Sequence, residues 1–194
     1  MSKATDKKEL ILDRGMEVMF RQGYNGTGVQ DIVSAAGVPK GSFYNYFDSK
    51  ESFAVEGVTR VTKQGYEWAR SLLTDSSVPP LQRVINYFEQ SVQCQVDGGF
   101  TGGCLVGNLC QEMADVSESL RSRINSLMCG NVSLIRDCFR EAIASGDLPD
   151  KKSAEDTAEF VFCAWEGALM RMKAAKSREP LDTFLRVLKS AFLK

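Results

Sequence analysis

Cys104 has the clearest potential for chemistry in this chain. It stands directly behind Gly102 and Gly103 in the stretch TGGCLVGNLCQE, and a second cysteine, Cys110, follows six residues later. A cysteine thiol can be an inert small side chain, a metal ligand, half of a disulfide, or a nucleophile that reacts with electrophiles and oxidants. The composition of the chain decides which of these roles stay open.

That composition argues against the metal-ligand and disulfide roles. The 194 residues include six cysteines and no histidine, which removes the most frequent transition-metal ligand and both Ser-His-Asp and Cys-His catalysis. No CxxC pair occurs, so we expect no zinc site and no cofactor. Cys104 and Cys110 are about 240° apart around a helix, which puts the two thiols on different faces. Cys104 is therefore either an inert thiol or a reactive one.

The remaining composition is that of an ordinary globular protein, with 43% hydrophobic and 25% charged residues. The first residues, MSKATDKKELIL, lack the apolar region of a signal peptide, and no apolar run approaches the length of a membrane span. We expect a cytoplasmic protein with reduced thiols and no membrane partner.

Helical periodicity dominates the chain, which predicts an all-α fold of about nine helices. The first predicted helix ends near Gly23, and the others cover residues 28–35, 39–46, 49 to the mid-seventies, 81–96, 104–114, 117–145, 152–175 and 181–193. Three short helices thus give way to long ones near residue 50. This change predicts two domains, residues 1–50 and 51–194.

Helix caps refine these boundaries. The pairs Thr27–Gln30 and Asp48–Glu51 have the spacing of capping boxes. Thr101 is a third predicted cap, and it would place Cys104 at the third position of its helix. Unpaired N–H groups and the helix dipole stabilise a thiolate at such a position, which favours a reactive thiol.

Residues 28–35 and 39–46 form the pattern of a helix-turn-helix, because two short helices are joined by a tight Ala-Ala-Gly turn. The second helix is too polar for a core element. Its tyrosine hydroxyls and lysine ammonium can donate to phosphate, and the short Ser42 lets a helix enter the major groove deeply. Gly41 allows close backbone approach, and Lys50 lies at the positive end of the next helix. The pattern predicts a DNA-binding head.

The stretch from Ile11 to Phe53, and above all its GxFYxYFxSKE portion, resembles the TetR family of bacterial transcription regulators. The resemblance implies a three-helix head, a larger helical ligand-sensing and dimerisation body, and a homodimer joined through the last two helices. A two-fold dimer reads a palindromic operator in double-stranded DNA. The resemblance also implies phosphate contacts by Thr27, Tyr44, Tyr46 and Lys50, base reading by Lys40, Gly41, Ser42 and Asn45, and core positions for Phe43 and Phe47.

The charge of the head indicates how it binds DNA. Residues 1–53 contain seven basic and seven acidic side chains, so the head has no basic field of the kind that nonspecific nucleic-acid binders present. We therefore expect specific docking in a groove, with local phosphate contacts.

A narrower resemblance concerns the body. The stretches GGCLVGNLCQEMAD and WEGALMRMK are similar to the NemR-like branch of the TetR family, whose members leave DNA in response to reactive electrophiles and chlorine oxidants. This resemblance implies that Cys104 is the sensing residue and that Lys173 is its partner. A lysine ammonium stabilises a thiolate, and its amine can form a reversible S–N link with an oxidised sulfur.

Three other interpretations stay open at this point. Cys104 can be an inert residue at a helix start. Induction can instead come from noncovalent binding of a small apolar or aromatic ligand, in a pocket lined by Trp68, Tyr87, Phe100, Met113 and Trp165. A cysteine-dependent redox enzyme is a remote alternative, since it would have to work without histidine, and we expect that the chain is not an enzyme.

Overall fold

In the computed structural model, residues 3–149 and 153–192 are described, and they form nine α-helices and no strand. The helices are α1 (Lys3–Gln22), α2 (Val29–Ala35), α3 (Lys40–Tyr44), α4 (Lys50–Leu73), α5 (Pro80–Asp97), α6 (Leu105–Met113), α7 (Glu118–Ala144), α8 (Ala154–Ala175) and α9 (Glu179–Phe192). The predicted all-α class is confirmed. None of these helices is both long and apolar enough to cross a lipid bilayer.

The helices differ from the predicted ones mainly at their ends, because the caps differ. Gly28, rather than Thr27, precedes the first residue of α2, and its N–H donates to Asp31 Oδ2 over 2.8 Å. At the start of α4, Ser49 and Ser52 each accept the other's backbone N–H at 3.0 Å. The two predicted capping boxes are therefore wrong by one residue, although both helices begin where such boxes place them.

The chain forms two compact units. The first consists of Met1–Gln64 with Leu105–Leu127, and the second of Gly65–Cys104 with Met128–Lys194. Helix α4 begins at Lys50, so the predicted boundary near residue 50 lies at the start of this helix. The two units divide within α4, between Gln64 and Gly65. The division into residues 1–50 and 51–194 stays a prediction about function.

In the first unit, α1, α2 and α4 meet at Gly15. A Cβ atom on Gly15 would lie 2.6 Å from both Ile32 Cγ2 and Phe53 Cζ, so only glycine permits this close approach. The rings of Phe43 and Phe47 are buried, and their centroids lie 5.7 and 5.2 Å from that of Phe53. The expected core positions of Phe43 and Phe47 are thus confirmed, and this aromatic cluster fixes α3 on the unit.

The second unit is built around aromatic residues of α5, α8 and α9. The fully buried Phe88 ring lies 5.3 Å from Trp165 and 4.9 Å from Phe184, centroid to centroid. Such contacts between offset or tilted rings add to the free energy of burying them. This core holds α8, the helix beside which Cys104 lies.

Candidate DNA-binding face and cysteine site

The predicted reading helix presents polar side chains opposite its buried Phe43. Lys40, Tyr44 and Asn45 are exposed, Ser42 is half-buried, and the Tyr44 ring is anchored edge-on against Phe43 at 5.3 Å. A helix this short needs such an anchor, because isolated short helices are marginal in water. The arrangement places donor groups on the open side of a rigidly held helix.

Gly41 lies on the same open side. No other heavy atom lies within 4 Å of the position that a Cβ atom would take there. Packing within the chain therefore does not require glycine at position 41, in contrast to position 15.

Thr27 and Lys50, which are both predicted to contact phosphate, make hydrogen bonds within the chain. Thr27 is 1% exposed, and its hydroxyl donates to Gly23 O over 2.7 Å. The Lys50 ammonium donates to the carbonyls of Tyr24 and Thr27 at 2.9 and 3.0 Å. These side chains organise the turn between α1 and α2, and two of the three Lys50 donors are already used there. Tyr46 is half-buried beside Phe47.

Glu112, in the last turn of α6, is a functional candidate that the sequence did not indicate. Its two carboxylate oxygens accept the backbone N–H groups of Tyr24 and Asn25, at 3.1 and 2.9 Å. Its partners lie nearly ninety residues earlier in the chain. No local spacing or periodicity signals such a contact.

The helix-start position predicted for Cys104 is wrong. Helix α6 begins at Leu105, so Cys104 precedes the helix instead of occupying its third position. The Thr101 hydroxyl donates to Gly98 O over 2.7 Å, and Thr101 O accepts the N–H of Gly103 over 2.8 Å. Thr101 therefore closes a turn of the glycine-rich loop and does not supply the predicted cap.

The loop formed by residues 98–104 lies along one side of α8. The Cys104 thiol is hydrogen-bonded to the carboxyl group of Glu166. A Cβ atom built on Gly103 would lie 3.9 Å from Lys173 Cδ, and Lys176 donates to Phe100 O over 3.3 Å. The structure thus brings the side chain of Lys173 to the residue next to Cys104, and it adds a carboxyl group that the sequence did not indicate.

The surroundings of this carboxyl group are only partly hydrated. Burial raises the pKa of Glu166, and the hydrogen bond from Cys104 lowers it in part. Burial also raises the pKa of Tyr87 to about 12, and negative charge on Cys104 and Glu166 contributes in the same direction. Tyr87 is therefore a neutral phenol at physiological pH, and the acidic and basic side chains beside the loop include Glu166, Lys173 and Lys176. Glu166 stands one helical heptad before Lys173 within WEGALMRMK, and that spacing was its only sequence signal.

The other cysteines divide into buried and exposed thiols. Cys138 is fully buried, its thiol donates to Leu73 O over 3.1 Å, and burial raises its pKa to about 11. Cys94, Cys129 and Cys163 lie within helices too, but their side chains are exposed. Cys110 is half-buried on α6.

The residues predicted to line a ligand pocket lie in both units. Met113 is buried in the first unit. In the second unit, the Trp68 and Tyr87 rings lie 5.4 Å apart, while Phe100 packs partly buried against the same core as Trp165. These four residues thus contribute to the packing of the second unit.

Helices α8 and α9 share an exposed apolar face. It includes a groove of about 550 Å³ lined by fifteen residues of the two helices, and none of the five predicted pocket residues belongs to it. Phe160 and Val187 in its lining are 70% and 55% exposed. An apolar patch of this kind marks an interaction surface.

Comparison with known proteins identifies the family. Residues 11–56 match the profile of bacterial regulatory proteins of the tetR family. Residues 80–188 match the profile of the tetracyclin repressor-like C-terminal domain, which covers more than half of the chain.

Individual relatives agree with these matches. The transcriptional repressor DhaR of Mycobacterium sp. strain GP1 is 36% identical over 97% of this chain and 93% of its own length. The crystal structure of reduced Escherichia coli NemR has a TM-score of 0.85 at 28% identity, covering 95% of this chain and 96% of that one. A cysteine mutant of CifR, solved with a 26-bp operator duplex, has a TM-score of 0.80 at 26% identity, covering 99% and 96% of the two chains.

These relatives are named as regulators, which confirms the prediction of a regulator over the redox-enzyme alternative. The structural match extends over almost the whole chain, so it includes both the head and the body. The chain belongs to the TetR family of DNA-binding transcriptional regulators.

Proposed function

We propose that this regulator is a homodimeric repressor that leaves a palindromic operator when Cys104 reacts with an electrophile or an oxidant. The surroundings of Cys104 are the observation that carries the sensing role, since its thiol is hydrogen-bonded to Glu166 of α8 and the Lys173 side chain approaches the adjacent Gly103. In this proposal residues 1–50 bind DNA, and residues 51–194 sense and dimerise.

For DNA binding, α3 enters the major groove. Lys40, Gly41, Ser42 and Asn45 face the bases, and the tyrosine hydroxyls face phosphates. The open space around Gly41 supports this orientation, because packing leaves the residue unexplained. The operator duplex in the CifR structure supports the same use of a similar chain.

Gly41→Ala tests this orientation. Alanine fits the open space and is about 1 kcal/mol more favourable than glycine inside a helix, so the free energy of unfolding should not fall. We expect weaker binding to a duplex selected from a random pool by the wild-type chain. Equal affinity of the variant and the wild type would contradict the placement of Gly41 at the groove.

For dimerisation, the apolar α8–α9 face of one protomer packs against its copy. A two-fold axis there brings the same side chains together, so a charge at Val187 meets its own copy in an apolar interface. Val187→Asp should therefore give a monomer by light scattering and lose operator affinity. Val116→Asp is the matched control, because Val116 is 76% exposed and lies outside both helices. A dimeric Val187→Asp variant would refute this interface.

For sensing, the Cys104 thiolate attacks the electron-poor carbon of an activated alkene. The new S–C bond takes the sulfur electron pair, the alkene π pair moves to the neighbouring carbon, and that carbon takes up the proton released by the thiol. With hypochlorous acid, sulfur becomes a sulfenyl chloride and hydroxide leaves. The Lys173 amine then displaces chloride to give an S–N bond and HCl.

Operator release tests the thiol sensor. N-ethylmaleimide or hypochlorite should release the wild type from DNA but leave Cys104→Ser bound. If Cys104→Ser is released normally, Cys104 is not the sensor, and the exposed thiols of Cys94, Cys129 and Cys163 are the next candidates. For the lysine step, the intact mass of the oxidised wild type should fall by two hydrogens. Persistence of that loss in Lys173→Ala would exclude Lys173 as the partner.

A further inference from the structure

The turn between α1 and α2, residues 23–27, is held by two oppositely charged side chains. Glu112 of α6 accepts the N–H groups of Tyr24 and Asn25, while Lys50 of α4 donates to the carbonyls of Tyr24 and Thr27. The Lys50 ammonium also lies 4.1 Å from the centroid of the Tyr24 ring. The backbone N–H of Tyr24 is therefore bound to the Glu112 carboxylate, and its carbonyl oxygen is bound to the Lys50 ammonium.

Gly23 makes this contact possible. Its φ is +80°, a conformation that L side chains rarely adopt, and a Cβ atom there would lie 2.7 Å from Glu112 Oε1. The carboxylate thus occupies the space that any other residue at position 23 would fill. The sequence provides both the room for Glu112 and the backbone conformation that turns two N–H groups toward it.

The same part of α4 has a second tie to the segment that follows α6. The hydroxyl of the buried Ser117 donates to Glu51 Oε1 over 2.7 Å and accepts the N–H of Leu120 over 3.1 Å. All of these residues belong to the first compact unit. Residues 112–117 are therefore joined to the head at both ends.

We propose that Glu112 is a positioning residue for operator binding, through which α6 holds the head in its DNA-binding conformation. Helix α2 begins at Val29, two residues after Thr27, so the position of the turn sets that of α2 and of the α3 that packs on it. Glu112 contacts no DNA in this role. It raises the fraction of molecules whose head is competent to bind, and the apparent Kd varies inversely with that fraction.

Glu112→Gln is the test, because the two side chains have the same size and shape. The amide has one oxygen and one NH₂ group, so it can accept only one of the two N–H groups and directs a donor at the other. We expect about a tenfold rise in Kd for a duplex selected by the wild-type chain, which corresponds to the loss of one charge-assisted hydrogen bond. The dependence of Kd on salt should keep its slope, because no phosphate contact is lost.

Glu118→Gln is the matched control. It removes the same charge from the exposed start of α7, where Glu118 pairs with Arg121. Removing a negative charge by itself strengthens binding to DNA, so weaker binding by Glu112→Gln cannot be a charge effect. Hydrogen exchange of the peptide covering residues 23–27 should rise in Glu112→Gln and stay unchanged in Glu118→Gln.

Equal Kd values for the two variants would overturn the proposal, as would unchanged exchange in Glu112→Gln. If Glu112→Gln proves less stable in urea, Kd is corrected by the measured folded fraction. A remaining tenfold loss supports positioning, and its disappearance refutes it. The inference rests on the proposed role of α3, whose failure is separately visible: Gly41→Ala would then bind as the wild type does, whatever Glu112→Gln shows.

Discussion

Glu166→Gln changes the charge beside Cys104 while keeping the shape of the side chain. The thiolate is the nucleophile, and a carboxylate next to it disfavours a second negative charge. Two unit charges 4 Å apart repel by about 4 kcal/mol at an effective dielectric constant of 20. Glu166 and Cys104 are only partly buried, so water screens much of this repulsion. Glu166→Gln should therefore raise the rate at which Cys104 is alkylated.

The size of the increase follows from two opposing effects. If about 1.4 kcal/mol of repulsion survives screening, the thiolate fraction of Cys104 rises about tenfold in the variant. A less basic thiolate is also a weaker nucleophile. With a Brønsted coefficient of about 0.45, each thiolate reacts about three times more slowly, which offsets part of the gain. The net expectation is about threefold faster alkylation by N-ethylmaleimide at pH 7.

The assay is quantitative mass spectrometry of the peptide that contains Cys104, sampled during alkylation of the intact protein. Glu159→Gln is the matched control, because Glu159 lies on the same helix beside the exposed Cys163, at 3.9 Å, instead of Cys104. Glu159→Gln should speed the alkylation of Cys163 and leave the alkylation rate of Cys104 unchanged. Lys173→Met should slow the alkylation of Cys104, since it removes the positive charge near the loop.

The pH dependence provides a second check on the Glu166 prediction. Burial raises the pKa of Glu166, so its carboxyl group takes up a proton at a higher pH than an exposed glutamate. Below that pKa the wild type is neutral at this position as the variant is, and the ratio of the two rates should fall toward one as the pH falls. Slower alkylation of Cys104 in Glu166→Gln at pH 7 would refute electrostatic opposition and indicate that Glu166 accepts the thiol proton instead.

Two further predictions concern the stability of the second unit. Arg83 is 5% exposed and donates to Val78 O and Glu141 at 2.7 and 2.8 Å, so Arg83→Met should lower the free energy of unfolding in urea by about 2–3 kcal/mol. Glu141→Gln should cost less than about 1 kcal/mol, because that carboxylate is half exposed; equal losses would contradict the assigned role of Arg83. Burial raises the pKa of Cys138 to about 11. The contribution of the neutral thiol to the free energy of unfolding is therefore complete below the pKa of the unfolded thiol, and it is lost as the pH rises through the pKa of the folded state. The stability advantage of wild type over Cys138→Ala should therefore shrink by about 2 kcal/mol between pH 8 and 11, and a constant difference would show that the buried thiol ionises normally.

Local patterns predicted the head well because its function and its packing are both local. The resemblance implied core positions for Phe43 and Phe47, which are both buried, and the Ala-Ala-Gly turn ends α2 where predicted. Helix ends were less accurate, since several polar residues near each end can act as caps. At α4, Ser49 and Ser52 form the reciprocal pair that Asp48 and Glu51 matched equally well by spacing.

The charged partners could not be predicted, because their spacing in the chain carries no signal. Glu166 lies beside Cys104 only because the glycine-rich loop lies along α8, and Glu112 reaches Tyr24 only because a glycine leaves room at position 23. The helix-dipole argument for a reactive Cys104 fails for a related reason. It placed the thiol inside the helix, whereas the nearest charges come from α8.

The two ends of one short segment have separate proposed roles. Cys104 directly precedes α6, and Glu112 lies in the last turn of that helix, so about 12 Å of helix joins the proposed sensor to the residue that holds the head. If modification of Cys104 acts by weakening the Glu112 contact, the loss of DNA affinity that it causes and the loss caused by Glu112→Gln should not be additive. N-ethylmaleimide should then release Glu112→Gln from DNA with a smaller fold-change than it does the wild type, whereas in Glu118→Gln it should act as in the wild type. Equal fold-changes in all three proteins would show that the signal from Cys104 reaches the head by a route that does not involve Glu112.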